Sequence, residues 1–258
     1  MAATMERGFT ERMSDTGVLT LTLTNAGRYN PLTRELLDDL RERLAEAADD
    51  DAVRVVVIAA EGKAFSAGHD LAEVRSGTTE AEHQSLFDAC GDLMLQINRM
   101  PQPVIAQVQG IATGAGCQLV AACDLAVASD DARLATSGIN LGLFCGTPSV
   151  AVSRAIAPKH AMEMLLTGEF IDAATAARIG LINRAVPADE LEGEVDRLAE
   201  TIAAKAPTAR RLGKQLFYRQ LGMSLPDAYA DASRTMARNM MAEDAQAGID
   251  AFLNRKRR

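Results

Sequence analysis

The chain has 258 residues, is 48% hydrophobic and carries a net charge of -8, which is enough apolar material for one large core or two small ones without covalent staples. The acidic balance argues against a nucleic-acid surface, because such a surface needs clustered positive charge to displace counterions. Four cysteines, Cys90, Cys117, Cys123 and Cys145, sit in or beside apolar segments without C-x-x-C spacing, so metal sites and a disulfide framework are not expected and a reducing cytoplasm is.

The first residues, MAATMERGFTERM, mix charges and contain no apolar stretch of the kind that directs secretion, and no run of about 18 apolar residues follows. Neither a signal peptide nor a membrane span is expected, and no internal repeat is visible. Residues 17–24, GVLTLTLT, alternate with period two and predict a half-buried strand, followed by a loop at 25–31. Thr33 then caps a predicted helix in which Leu36, Leu37, Leu40, Leu44 and Ala47 recur at helical spacing as far as the acidic run at 49–51.

Residues 53–60, VRVVVIAA, are β-branched and almost uniformly apolar, which predicts a strand buried on both faces. A glycine-bearing turn at 61–70, EGKAFSAGHD, ends that strand, and the polar, weakly periodic residues 71–79 read as a mobile segment. A helix over 79–99 stops before Pro101 and Pro103.

Residues 103–129 predict a buried strand, a second glycine-rich turn at 110–118, a helix of small residues and another apolar strand. A turn that opens a helix presents free backbone N–H groups and so suits a negatively charged oxygen, although such a turn alone is weakly specific. Residues 130–149 read as an irregular connection, and helices are predicted at 150–156, 160–166, 173–179, 188–205, 208–220 and over most of 226–254. Strands crowd the first half and helices the second, the order of an α/β core with a helical C-terminal section. The last helices, with Met236, Met240, Met241, Ile249 and Phe252, are expected to pack on their own core or on another subunit, and their methionine-rich faces are assigned to such packing ahead of a cofactor box.

Several chemistries are disfavoured by the residues themselves. The turn TGAGCQL lacks the third glycine of a dinucleotide fingerprint, which is Leu119 here, and no G-x-S-x-G elbow surrounds Ser66 or any other serine. His69, His83 and His160 have no metal-ligand spacing, but His69 stands apart because it lies in a glycine turn at the end of a buried strand.

The two glycine turns together carry a resemblance. KAFSAGHDLAE, PVIAQVQGIATGAGCQLVAACDLAVAS, the early TLTNAGRYNPLT and the C-terminal AEDAQAGIDAFLNRKR closely resemble the enoyl-CoA hydratase/isomerase family, the crotonase superfamily. The likeness runs through nearly the whole chain in the right order. It implies an α/β fold of the ClpP/crotonase kind, a spiral of ββα units over residues 1–200 with a helical C-terminal trimerisation region over 201–258. The implied ligand is an acyl-CoA thioester, with coenzyme A as part of that ligand, no permanently bound cofactor and no metal. Self-association as a homotrimer, or as a dimer of trimers, is also implied.

By motif, the backbone N–H groups of His69 and Ala115 correspond to the family's oxyanion hole, in which each prearranged donor is worth about 3 to 4 kcal/mol. Ala67, His69, Asp70, Leu71 and Ala72 would lie along the pantetheine and adenine, and Lys214 or the basic end at 255–258 would reach the CoA phosphates. The family's hydratases also use two glutamates, and here those positions hold Gln118 and Gly138, while the carboxylate position of some isomerases holds Gly146.

An amide exchanges no proton near neutral pH, and a positioned acid or base contributes about 10²- to 10⁴-fold. The resemblance is nearest to the branch called enoyl-CoA hydratase domain-containing proteins. The expected function is therefore acyl-CoA binding by a nominal 2-enoyl-CoA hydratase of fatty-acid metabolism, a carbon-oxygen lyase by family, that lacks the glutamate pair. The alternative is a catalytically silent acyl-CoA-binding or interaction protein. His69, Cys145, Asn140 and Cys117 remain as side chains with chemistry to offer.

Overall fold

The computed structural model describes residues 8–255. In chain order these form β1 (Phe9–Met13), β2 (Val18–Leu23), α1 (Arg34–Asp49), β3 (Val55–Ala60), β4 (Ala64–Ser66), α2 (Leu71–Ser76) and α3 (Glu80–Arg99). β5 (Val104–Val108), β6 (Ile111–Thr113), α4 (Ala115–Ala122), β7 (Leu125–Ser129), β8 (Arg133–Ala135), α5 (Gly146–Ala155) and α6 (Pro158–Thr167) follow. The chain continues through β9 (Ile171–Asp172), α7 (Ala173–Ile179), β10 (Arg184–Val186), α8 (Leu191–Ala203), α9 (Pro207–Gln220), α10 (Leu225–Met240) and α11 (Glu243–Arg255).

A six-stranded sheet has the order β1-β2-β3-β5-β7-β10 and a four-stranded sheet the order β4-β6-β8-β9. Only β1–β2 and β8–β9 pair antiparallel; every other pairing within the two sheets is parallel. The successive pairs β3–β4, β5–β6 and β7–β8 each place one strand in the large sheet and the next in the small sheet, and a helix leads on from each pair. This is a spiral of ββα units. Its repeat is one of topology, since each unit is filled with different side chains, and no period is visible in the sequence.

The uniformly apolar run of β3 follows from burial on both faces. Val56 and Ile58 join Leu37, Leu40 and Leu44 of α1 and Leu93 and Ile97 of α3 in the larger core. Val55, Val57 and Ala59 point the other way, into a smaller core with Leu191, Val195, Ala199 and Ala203 of α8. Period-two geometry sends alternate residues to opposite faces, so a central strand covered by helices on both sides needs apolar residues throughout. α1 starts as its sequence predicts, with the Thr33 side chain accepting from the Leu36 N–H, and α3 opens on a capping box of Thr79 and Glu82.

Several expectations are corrected. Residues 71–79 hold α2, capped by Asp70, whose carboxylate accepts from the Ala72 N–H. Within the segment read as irregular lie β8 and a 3-10 turn at Ser137–Leu141, and α5 begins at Gly146. β1, β4, β6 and β8 span three to five residues each, too few to show a period, and pairing with neighbours is what makes them strands.

The C-terminal helices attach through a buried charge. Lys214 Nζ of α9 donates to the carbonyls of Ile97 at 2.6 Å and Gln102 at 2.8 Å and to Asp124 Oδ2 at 2.6 Å, and Tyr218 donates to Asp124 Oδ1 at 2.8 Å. An ammonium with three donors is thereby fully used. Burial pushes the Lys214 pKa down against the pull of Asp124. Lys214 therefore docks α9 and does not reach toward CoA phosphates.

α10 buries only Thr235 and exposes Leu225, Tyr229, Met236 and Met240. Met241, Ile249 and Phe252 are exposed as well, so the methionine-rich faces are not part of this chain's own core. Among the described residues no helix is long and apolar enough to cross a membrane.

Candidate functional site

β4 and β6 are parallel neighbours, so the turns that follow them emerge side by side. Gly68, at φ 87°, fits only because it lacks a side chain: a Cβ there would lie 2.8 Å from the Thr113 carbonyl oxygen and 3.0 Å from the Ala115 nitrogen. On the other turn, a Cβ on Gly116 would lie 2.3 Å from the Ser66 carbonyl oxygen. The two turns are thus in van der Waals contact through backbone. The Gly114 N–H donates to the Ala135 carbonyl at 3.1 Å, and its carbonyl accepts from the Gln118 N–H at 3.0 Å, which ties the second turn to β8 and to α4.

Where the turns meet, the N–H groups of His69 and Ala115 have no acceptor among the described residues. Ala115 is the first residue of α4, where the helix itself supplies no acceptor. Among the described residues the His69 N–H meets no acceptor either, while the preceding Ala67 and Gly68 N–H groups are taken by the Tyr29 carbonyl and Ser66 Oγ. Adjoining, unpaired backbone donors are a suitable seat for a carbonyl oxygen that gains negative charge.

The His69 ring packs edge-on against Phe87 with centroids 5.6 Å apart. Its Nδ1 lies 3.3 Å from the Leu32 carbonyl oxygen, a geometry that assigns the proton to Nδ1, and its Nε2 is buried with no partner among the described residues. Burial pushes the His69 pKa down, with the Leu32 carbonyl opposing, so the ring is neutral near pH 7. Desolvation works to raise the Asp70 carboxyl, but the Ala72 N–H and the Arg28 guanidinium at 2.8 Å outweigh it and hold its pKa low. Ala67, Leu71 and Ala72 are exposed beside this turn.

The acid-base positions look different. Gln118 is buried in α4, and its Oε1 accepts from the Cys90 thiol at 3.6 Å. Gly138 lies in the 3-10 turn, where a Cβ would meet the Leu143 carbonyl oxygen at 2.7 Å and Cys145 Sγ at 2.8 Å. The Leu143 N–H also donates to the Gly138 carbonyl at 3.0 Å, so the loop is closed over the space a side chain would need. Gly146, by contrast, has open space around it.

Of the remaining candidates, Asn140 donates to the Gly168 carbonyl at 3.3 Å and serves the fold. Burial pushes the Cys117 thiol up to about 12, with Cys145 adding to it. The Cys145 thiol is likewise raised by burial, against a contact from the Gly138 backbone. Neither thiol is a ready nucleophile, because the thiolate is the reactive form.

The basic end at 255–258 lies outside the described residues apart from the backbone of Arg255. Sequence reasoning missed Asn30, Phe87 and Cys90 and set Ser66 aside. Asn30 was legible only as an asparagine before a proline in a loop, and the other three look like ordinary core residues until the fold brings them to the turns.

Residues 13–258 match the family described as Enoyl-CoA hydratase/isomerase. "Enoyl-CoA hydratase domain-containing protein 3, mitochondrial" of Rattus norvegicus is 43% identical over 252 residues, covering 98% of this chain and 84% of that protein. The solved enoyl-CoA hydratase of Mycobacterium smegmatis superimposes with a TM-score of 0.95 at 50% identity, covering 97% of each chain. Human enoyl Coenzyme A hydratase domain-containing protein 3 gives a TM-score of 0.93 at 43% identity, covering 96% of this chain and 98% of that one.

The cytoplasmic expectation is overturned by these relatives, whose rat, mouse, frog, human and fish members are all named mitochondrial. It rested on cysteine usage, which speaks only to redox conditions and does not tell one reducing compartment from another. With a family match over residues 13–258, relatives and solved structures similar over nearly the whole chain and the two-sheet spiral to match, the chain belongs to the enoyl-CoA hydratase/isomerase family and has the crotonase fold.

Proposed function

We propose that this protein binds acyl-CoA thioesters and does not hydrate 2-enoyl-CoA by a two-carboxylate route. The thioester oxygen is held by the N–H groups of His69 and Ala115, and the rest of the coenzyme A lies along Ala67, Asp70, Leu71 and Ala72. The observation that carries this reading is the close approach of Gly68 to Ala115, whose nitrogen would lie 3.0 Å from a Cβ on Gly68, so that the turn bearing the His69 N–H is packed against the turn bearing the Ala115 N–H. Donors fixed in advance stabilise developing charge without reorganisation, by about 3 to 4 kcal/mol each. Coenzyme A enters and leaves as part of the ligand.

What the site lacks is a carboxylate at the usual acid-base positions. Gln118 is a neutral amide, Gly138 has no side chain and Gly146 none. The crowding of Gly138 by Leu143 and Cys145 favours a second reading, a catalytically silent acyl-CoA-binding or interaction protein. The exposed apolar face of α10 supports assembly with further copies of the chain, as trimers or hexamers, which light scattering would detect.

Titration calorimetry with a saturated acyl-CoA and with free CoA, beside a crotonyl-CoA hydration assay, tests the proposal. The thioester is expected to bind more tightly than free CoA, with hydration lower by at least about 10²-fold than a positioned acid-base pair provides. Hydration at the rate of a glutamate-bearing family member would refute the second half of the proposal. Absence of any thioester binding would refute the whole.

A further inference from the structure

Residues 29–32 grip the turn at 66–69 through a continuous set of bonds. The Tyr29 carbonyl accepts from the Ala67 N–H at 2.9 Å, the Asn30 carbonyl accepts from Ser66 Oγ at 2.8 Å, and the Leu32 N–H donates to the Gly68 carbonyl at 2.8 Å. The Leu32 carbonyl closes the set against His69 Nδ1 at 3.3 Å. Tyr29 at φ 61° and Asn30 at φ 50° both sit in the left-handed region, and asparagine tolerates that conformation better than most residues. Asn30 is fully buried, and its Nδ2 donates to the carbonyls of Glu61 at 2.9 Å and Ala64 at 2.8 Å. The loop is thereby pinned to the same β3–β4 connection whose far end carries the turn.

Ser66 is the point at which this clamp acts on the site. Its fully buried hydroxyl donates to the Asn30 carbonyl and accepts from the Gly68 N–H at 3.1 Å. The N–H groups of the turn are then allotted in order: Ala67 to Tyr29, Gly68 to Ser66, and His69 to nothing among the described residues.

We infer that Ser66 and Asn30 are positioning residues that select the His69 N–H as the turn's open donor and hold it in register with that of Ala115. The inference rests on the reading of those two N–H groups as the thioester seat. Hydrogen bonds weaken steeply as their angle closes, so a donor held at one angle polarises the bound carbonyl more than a donor that swings. Without the Ser66 hydroxyl, the Gly68 N–H is also unpaired and competes for the same oxygen.

Cinnamoyl-CoA is a suitable probe, because its conjugated thioester absorbs at longer wavelength when hydrogen bonds polarise the carbonyl. Difference spectra and affinities for cinnamoyl-CoA and free CoA are measured on wild type, Ser66→Ala and Asn30→Gly, which keeps the left-handed backbone and removes the amide. Wild type is expected to shift the band. Ser66→Ala is expected to lose most of that shift and about 10-fold in cinnamoyl-CoA affinity, a fraction of the about 10²- to 10³-fold that outright loss of such a donor costs in catalysis.

Free CoA is expected to bind both chains alike, and Asn30→Gly should fall in the same direction as Ser66→Ala. If wild type binds without a shift, the thioester seat itself is refuted and this inference goes with it. If wild type shifts and the folded Ser66→Ala chain shifts equally, with the same ratio of thioester to CoA affinity, the positioning role alone is refuted. Should thermal melting show Ser66→Ala unfolded, Ser66→Cys carries the same comparison, since it leaves no cavity and weakens the acceptor.

Discussion

The paired turns at 66–70 and 113–118 and the loop at 138–146 belong to the same part of the spiral and rest on opposite kinds of chemistry. The turns offer backbone N–H groups, which every residue but proline possesses, so their requirement is geometric and falls on Gly68 and Gly116. Acid-base work in the loop would need a particular side chain, and Gly138 leaves no space for one beside Leu143 and Cys145. A function carried by backbone persists through changes of side chain so long as the turn is held. A function carried by a carboxylate ends with one substitution and with the repacking that fills its place.

The largest effect is expected where backbone meets backbone. Gly116→Ala forces the Ser66 carbonyl away from a Cβ that would stand 2.3 Å from it, and overpacking of this kind costs about 1 to 3 kcal/mol. Urea unfolding should show that loss, and calorimetry should show acyl-CoA binding abolished. A variant that binds as wild type does would mean that the turns need not touch.

The next test asks whether the loop can be turned back into an acid-base site. Gln118→Glu combined with Gly138→Glu should not raise crotonyl-CoA hydration by the about 10²- to 10⁴-fold that positioned acid-base groups supply, because the second glutamate must first displace the Leu143 backbone. A gain of that size would show that the loop opens easily and that a side chain can be housed there as readily as the backbone donors are.

Alkylation kinetics sharpen the same comparison from the side of the thiols. Cys90 and Cys117 are held up at about 12 by burial, and Cys145 is raised in the same direction. Iodoacetamide at pH 7.5 should therefore label the native chain far more slowly than the urea-unfolded chain. Rapid native labelling of Cys145, read by peptide mass spectrometry, would show the loop open.

The smallest effect is a pH dependence from the turn. Burial lowers the His69 pKa in the folded chain, so around its ordinary value of about 6.5 the unfolded chain binds more protons than the folded one. The stability due to neutral His69 is complete above that value and is lost as pH falls below it. Melting curves from pH 8 to 5 should fall more gently for His69→Gln than for wild type, and parallel curves would contradict the assignment.

How much of this was legible beforehand differs by element. Thr33 and the leucines of α1 spell out a helix, and the two-sided burial of Val55 to Ile58 explains a run that reads as a central strand from its residues alone. α2 was hidden because its residues are polar and its start depends on the Asp70 cap and the Arg28 pair. Gln118 and Gly138 were legible as departures from a motif, but the closure of the loop over Gly138 was not, since it depends on Leu143 and Cys145 returning to the same point. Lys214 was misread as a ligand contact because a lysine on a helix gives no sign in sequence of the three acceptors that Ile97, Gln102 and Asp124 bring to it.

By itself the sequence determined the α/β class, the positions of the long helices and central strands, both glycine turns and the absence of glutamates at their usual places. These are properties of short windows, set by periodicity, capping and the conformational range of glycine. Tertiary structure alone decided that the two turns touch, that residues 29–32 clamp one of them, that the loop at 138–146 is filled and that Lys214 is buried. Each of those depends on residues far apart in the chain meeting within a few ångströms, and such distances follow from how the whole spiral packs.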